Sequence, residues 1–453
     1  MVEHIHHITL KQNVKQKAQH YYLDTVNLLW IVNNTKIIYS KQVKKYWQYI
    51  IIIVIIKNMM MKKFLMLFVG LFTVNVCAAT DTFNTKAKSA FLIDYDSGQE
   101  IFSKNPDDLM PPSSMLKLVT LGVLFDKIKS GELKLDDTLT VSENANYKKP
   151  VWHQASKMCL NTNQKITVRD AILGIIVLSA GDASVVVAES IAGDENRFTQ
   201  NMQDYVNKIG MVKSSFGNAS GLPNENNLMT SRELAILATH IIHEYPELYK
   251  MFATKRFEFN DTKTDWCKDW ARTHTTNYNK LLFSMPGADG LKTGHTDDGG
   301  YGMVGSAKIG GRRLIGVING FHGSNHEALA NEMKKLLNYG FKNTQTKTFY
   351  RAGQDILKVP VWYGTNDTVI ATTDKNVAIT LNKTENLKNV RVLARYDQPV
   401  VAPVKQGQTI GEIVIEYDGD IKQRIPLVAK NKVRKIQFIG RIIKNISVML
   451  WGK

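Results

Sequence analysis

Three cysteines in 453 residues exclude a disulfide-built scaffold, which needs several bridges to replace a missing core. The apolar runs at 50–56 and 64–72 fall short of the roughly 20 apolar residues that a membrane-spanning helix requires. His240 and His243 sit one helical turn apart with Glu244 beside them, which is not the His-Glu-x-x-His order of a zinc peptidase, so a capping or surface role is expected. Acidic residues are missing altogether from 430–453, where seven Lys or Arg stand. Residues 1–60 hold 8 Lys against 2 acids, and 61–79 add two more Lys. The formal charge of +17 therefore belongs to the two ends, because 80–429 carries 41 basic and 39 acidic residues. So even a balance excludes a broad nucleic-acid-binding face. With 44% hydrophobic and 22% charged residues, the chain is not disordered, and its length implies at least two cores.

Met61 opens a second plausible start. Lys62 and Lys63 form a positive region, Phe64 to Phe72 an apolar one, and Cys77, Ala78 and Ala79 offer small residues for cleavage. This is the layout of a secretory signal peptide over 61–79. Val76 stands where a lipoprotein signal would have a small residue, so lipidation is the weaker reading. Residues 1–60 are read as a misassigned leader, with a membrane-anchoring extension as the alternative. Export implies an oxidising compartment, in which Cys159 and Cys267 either pair or remain buried thiols.

From Ala90, AFLIDYDSGQEIF reads as strand, turn, strand. Pro111 and Pro112 then precede a helix opening at Ser113 and closing before Gly131. A second helical stretch runs from Val168 to Gly193 with a break around Ala180-Gly181. A third starts at Thr230 or Ser231, with Glu233 placed for a capping box. YGMVGSAKI and RRLIGVINGF flank Gly310-Gly311, a hairpin signal. This places the Gly-rich stretch 299–311 in a sheet and not in a phosphate loop. Strands before and after a helical middle predict an α+β domain over 80–347. Short alternating runs then predict a small all-β, sandwich-like domain over 348–429. The tail 430–453 puts Val433, Ile436, Ile439, Ile443, Ile446 and Leu450 on one helical face, and so reads as a basic amphipathic helix on a membrane surface, with a helix packed on its own domain as the alternative.

Three short motifs follow in order. Ser114-Met-Leu-Lys117 places a hydroxyl and an amine at i, i+3 on one helical face. A partly desolvated lysine can serve such a serine as general base. Ser179-Ala180-Gly181 falls at the helix break, and Lys292-Thr293-Gly294 with His295 at the entry to a strand. Lys and Thr can bind a carboxylate, and Gly allows close approach. Each motif alone is weak, since a capped helix, a cap and a turn explain them equally well.

Taken in this order, S-x-x-K, S-x-N and K-T-G are the three motifs of serine penicillin-binding proteins and class A β-lactamases. PPSSMLKLVT, LSAGDASVVVAESIAG, FGNASGLP, TSRELAILATHIIHEYPELY and DGLKTGHTDDGGYGMVGSA resemble the low-molecular-mass penicillin-binding proteins that are D-alanyl-D-alanine carboxypeptidases. The resemblance covers about 85–453. It implies a β-lactamase/transpeptidase-like α+β domain, a β domain and an amphipathic tail, at the periplasmic face of the inner membrane. Ser114 would be the acylated nucleophile, Lys117 its base, Ser179 a proton relay, and Lys292 with Thr293 the site for the terminal carboxylate. The N–H groups of Ser114 and His295 would form the oxyanion hole. The substrate would be a peptidoglycan stem peptide, β-lactams would acylate the same serine, and neither metal nor cofactor is implied.

One departure stands out: the family's second motif ends in Asn, and here Gly181 takes that place. Losing an amide that would contact substrate and hold the lysine implies a slower enzyme, by about 1–3 kcal/mol in transition-state binding. Replacing Gly181 by Asn is then expected to change D-alanine release. A β-lactamase is the nearest rival, but Glu225-Asn-Asn-Leu-Met229 departs from that class's Glu-x-x-Leu-Asn, so Glu225 is read as a surface loop residue. A DD-endopeptidase using the same chemistry, and a non-catalytic wall-binding scaffold, are the more distant rivals.

Overall fold

A computed structural model describes residues 83–259, 267, 273–396 and 398–437. The leader, the signal-like segment and 438–453 of the tail lie outside the described residues.

Strands β1 (Ser89–Asp94) and β2 (Glu100–Lys104) form the expected hairpin, with Gly98 at φ +67° in its turn. A 3₁₀ turn at Ser113–Leu116 leads into α1, Lys117–Lys129. Every residue of α1 from Lys117 to Phe125 is buried, so this helix forms the centre of the larger core. Each fully buried Leu, Val or Phe there contributes about 1.5–3 kcal/mol. Short strands β3 (Thr138–Thr140) and β4 (Lys165–Thr167) pair, and α2 (Val168–Val177) follows. The long helical stretch does break where expected: α3 (Gly181–Ala192) restarts after Ser179, whose φ of +57° reverses the chain. Helices α4 (Glu195–Lys208) and α5 (Ser231–Glu244) complete the helical layer.

The chain then returns to the first sheet with β5 (Ala288–Thr296), β6 (Gly300–Ile309) and β7 (Arg312–Phe321). The order is β2-β1-β7-β6-β5 and every pairing is antiparallel. Gly310 and Gly311 both have positive φ, as a two-residue hairpin turn of this kind demands. Helix α6 (His326–Asn343), capped by the Asn325 side chain, packs on β6 and β7.

Thr230 caps α5, its hydroxyl accepting the Glu233 N–H at 3.0 Å. The reciprocal half of the expected capping box does not form. The Glu233 carboxylate instead accepts from the Val212 and Lys213 N–H groups and the Ser214 hydroxyl, tying a neighbouring loop to the helix. Thr230→Ala is expected to cost about 1 kcal/mol, read as a lower denaturant midpoint.

Strand β8 (Thr344–Tyr350) begins a few residues before the expected change of character at Thr348. Its first residues, Thr-Gln-Thr-Lys, are polar and give no alternating signal. β8 pairs with β11 (Val377–Asn382). A second sheet has the order β12-β14-β15-β10-β9-β13. Its strands are β9 (Leu357–Trp362), β10 (Thr368–Thr372), β12 (Val390–Tyr396), β13 (Val400–Val401), β14 (Thr409–Tyr417) and β15 (Asp420–Ala429). Val359, Val361, Ile379, Ile413, Ile415 and Leu427 fill the core of this β region. It is joined to the first sheet by the buried Asp94 carboxylate, which accepts from Arg312 Nε at 2.8 Å and the Thr346 hydroxyl at 2.5 Å.

The tail corrects one expectation. Val433 is buried and exchanges backbone hydrogen bonds with Val404, and the Ile436 N–H donates to Tyr363 O. Val433 and Ile436 therefore belong to extended chain that closes the β region. An amphipathic helix cannot begin at 430, because Val433, the first of its apolar residues, is already used in that core.

Candidate active site

The two proline residues and the 3₁₀ turn hold Ser114, half-buried, at the mouth of the α1 N-terminus. Lys117, one turn on, is buried, and its Nζ donates to Ser114 Oγ at 2.8 Å. A second, shorter bond goes to the backbone carbonyl of Ser220, in a loop that none of the three motifs includes. Burial pushes the Lys117 ammonium down to about 7, against the opposing pull of the Asp182 carboxylate. An amine near neutrality and bonded to a hydroxyl is suited to remove its proton.

Ser179 stands between α2 and α3 in the left-handed region, a conformation that costs a residue with a side chain of order 1–3 kcal/mol and that concentrates at functional sites. This geometry sets its hydroxyl 2.9 Å from Lys292 Nζ. Lys292, on β5, is 1% exposed and also donates to Thr293 O. Burial, and then the neighbouring Lys117, hold the Lys292 ammonium well below its ordinary value. Two buried amines thus oppose each other's protonation. An arriving carboxylate favours the charged form of Lys292 and so the free-base form of Lys117.

Ser114, Lys117, Ser179, Thr293, Gly294 and His295 all line one cleft of about 260 Å³. Lys292 reaches it from behind, through Ser179. The close approach expected at Gly294 is made by the protein itself. A Cβ there would meet Pro112 O at 2.8 Å and Ser114 N at 3.1 Å, so glycine is what lets β5 lie against the nucleophile's turn. His295 is exposed and stacks on Tyr301, ring centroids 4.0 Å apart. His326, also in the wall, is driven down to about 4 by burial, with Lys292 next in effect.

Asp182, fully buried, accepts from the N–H groups of Met158, Leu160 and Ala183, while burial raises it to about 6. It fastens 158–160 to the start of α3. Cys159, between two of these donors, is disulfide-bonded to Cys267, Cα–Cα 6.0 Å, so the two cysteines pair and are not buried thiols. Ser220, Asp182 and the wall 154–156 carry no motif of their own; only the FGNASGLP and SAGD stretches point to the first two. Glu225 is exposed and stands outside the cleft. His240 packs between the Tyr205 and Tyr245 rings, and His243 bonds Glu244.

A five-stranded antiparallel sheet flanked by helices, with Ser-Lys at one helix and a Lys-Thr-Gly strand facing a second serine, defines the class of serine acyl-enzymes that act on D-alanyl peptides and penicillins. Residues 75–323 match the family model for D-alanyl-D-alanine carboxypeptidase, and 345–435 that for the penicillin-binding protein 5 C-terminal domain. The chain is 33% identical over 393 residues to the D-alanyl-D-alanine carboxypeptidase DacA of Haemophilus influenzae, covering 84% of this chain and 94% of that one. It is 32% identical over 367 residues to DacA of Escherichia coli K12, covering 80% and 87%. The structure of penicillin binding protein 5 from Haemophilus influenzae superposes with a TM-score of 0.67 at 32% identity, over 78% of this chain and 99% of that one. The chain belongs to the serine D-alanyl-D-alanine carboxypeptidase family and is a hydrolase of the cell wall.

Proposed function

We propose that Ser114 attacks the carbonyl between the last two D-alanines of a peptidoglycan stem pentapeptide, Lys117 taking its proton. Ser179 passes a proton to the leaving D-alanine, and Lys292 with Thr293 neutralises the terminal carboxylate. The N–H groups of Ser114 and His295 receive the developing oxyanion, and water releases the shortened peptide. The observation that carries this assignment is Lys117 Nζ, buried and 2.8 Å from Ser114 Oγ. β-Lactams acylate the same serine.

The site works outside the cytoplasm, at the periplasmic face of the inner membrane. The signal-like segment 61–79 and the acid-free tail support this placement. The β region spaces the cleft from the membrane. The full chain incubated with stem pentapeptide should release one D-alanine per tetrapeptide formed. Release only from cross-linked dimers would transfer the reading to an endopeptidase. In a cell expressing the chain, it should sediment with membranes, as a basic tail with an apolar stripe does on an anionic surface; fully soluble behaviour would remove the placement.

A further inference from the structure

Gly181 removes the carboxamide of the second motif, and the structure shows what has come in beside it. A Cβ built at Gly181 would lie 2.6 Å from the edge of the Trp152 indole. That ring is 2% exposed and fixed by its Nε1–H to Asn144 O at 3.0 Å. The Gly181 N–H donates to Ser156 O at 2.8 Å, so the 152–156 loop sits directly on the start of α3. A buried lysine locks the loop: Lys157 Nζ donates to Trp152 O, His153 O and Ala155 O, gripping the backbone on both sides of residue 154. The residue so held is Gln154, exposed and in the cleft wall with Ser114, Ser179 and Gly181. Among the described residues its carboxamide has no hydrogen-bond partner.

We propose that the Gln154 carboxamide is the specificity-determining contact to the substrate's peptide group, replacing the amide that Gly181 lacks. Gln and Asn carry the same donor and acceptor pair, and the loop, seated on the start of α3, presents the group in the same cleft. The fixed backbone limits what ordering the side chain costs on binding. This proposal rests on the carboxypeptidase reading of the cleft.

The test uses two β-lactams with the same fused rings. Benzylpenicillin carries an acylamino group where the substrate has the peptide preceding the scissile bond, and 6-aminopenicillanic acid has a bare amine there. Acylation of the full chain by each is followed by intact mass, with and without Gln154→Ala. The ratio of the two rate constants, benzylpenicillin over 6-aminopenicillanic acid, should fall about tenfold in the variant, as loss of one hydrogen bond implies. A ratio unchanged because both rates fall together would overturn the proposal and leave Gln154 a structural part of the wall. A ratio unchanged with both rates intact would overturn it as well. No adduct at Ser114 in the unsubstituted chain would instead sink the underlying reading, and is seen before the variant is made.

Discussion

Lys117→Met should slow acylation of Ser114 by benzylpenicillin about 10²–10⁴-fold, while Ser114→Ala should give no adduct at all. The thioether keeps most of the volume of the buried stem but has no lone pair basic enough to accept a proton. The two bonds lost are those to Ser114 Oγ and Ser220 O. Loss of the second leaves a buried carbonyl unpaired, so some stability goes with the rate. The pH profile separates the two effects. With the Lys117 ammonium pushed down to about 7 by burial, the free base is the minor form below that value. Acylation should therefore fall about tenfold for each pH unit below 7 and level off above it. Lys117→Met should flatten this limb. A profile rising instead through the ordinary lysine range would mean that burial does not activate this amine. Unchanged acylation by Lys117→Met would remove it as the base.

Lys292 is held low by burial and by Lys117, yet a carboxylate-binding role needs its charge. On the proposed role, bound substrate would supply the missing anion, so that the proton would reside on Lys292 and not on Lys117. Ser179, 2.9 Å from Lys292 Nζ, would then be the hydroxyl through which that charge is felt in the cleft.

The order of elements could be read from the residues because each has a local cause. Prolines precede the Ser114 turn, Thr230 caps α5, and a Gly-Gly pair turns β6 into β7. The three motifs were legible for a similar reason, since i, i+3 spacing on a helix already places Lys117 beside Ser114. What sequence patterning did not disclose is held together by long-range contacts. Ser220 reaches Lys117 across about a hundred residues, and Asp182 reaches back to Met158. The tail misled because Val433 and Ile436 fit a helical stripe as well as an extended edge; the backbone of Val404 and the carbonyl of Tyr363 draw them into the second arrangement. Glu233 likewise has the spacing of a capping box but serves a neighbouring loop.

Gly181→Asn restores the family's second motif, yet it should lower stability by about 1–3 kcal/mol and leave acylation no faster. The new Cβ would start 2.6 Å from the Trp152 ring. The indole cannot yield cheaply, because it is buried in the core and tied to Asn144 O. Strain placed there falls on the Gly181 N–H to Ser156 O bond, and thus on the wall of the cleft. Trp152→Leu alone should be destabilising for the opposite reason, a cavity at the α3 N-terminus. The two changes touch the same atoms, so they should not add: the double variant should be more stable than the sum of the singles predicts. With room for the Asn amide, it should also acylate faster than Gly181→Asn. Denaturant midpoints for the four proteins give the coupling, and intact-mass acylation rates give the functional half. Strict additivity would mean that Gly181 and Trp152 vary independently. A gain in rate from Gly181→Asn alone would mean that the indole moves aside, and the slow-enzyme expectation drawn from the missing amide would then stand unmodified.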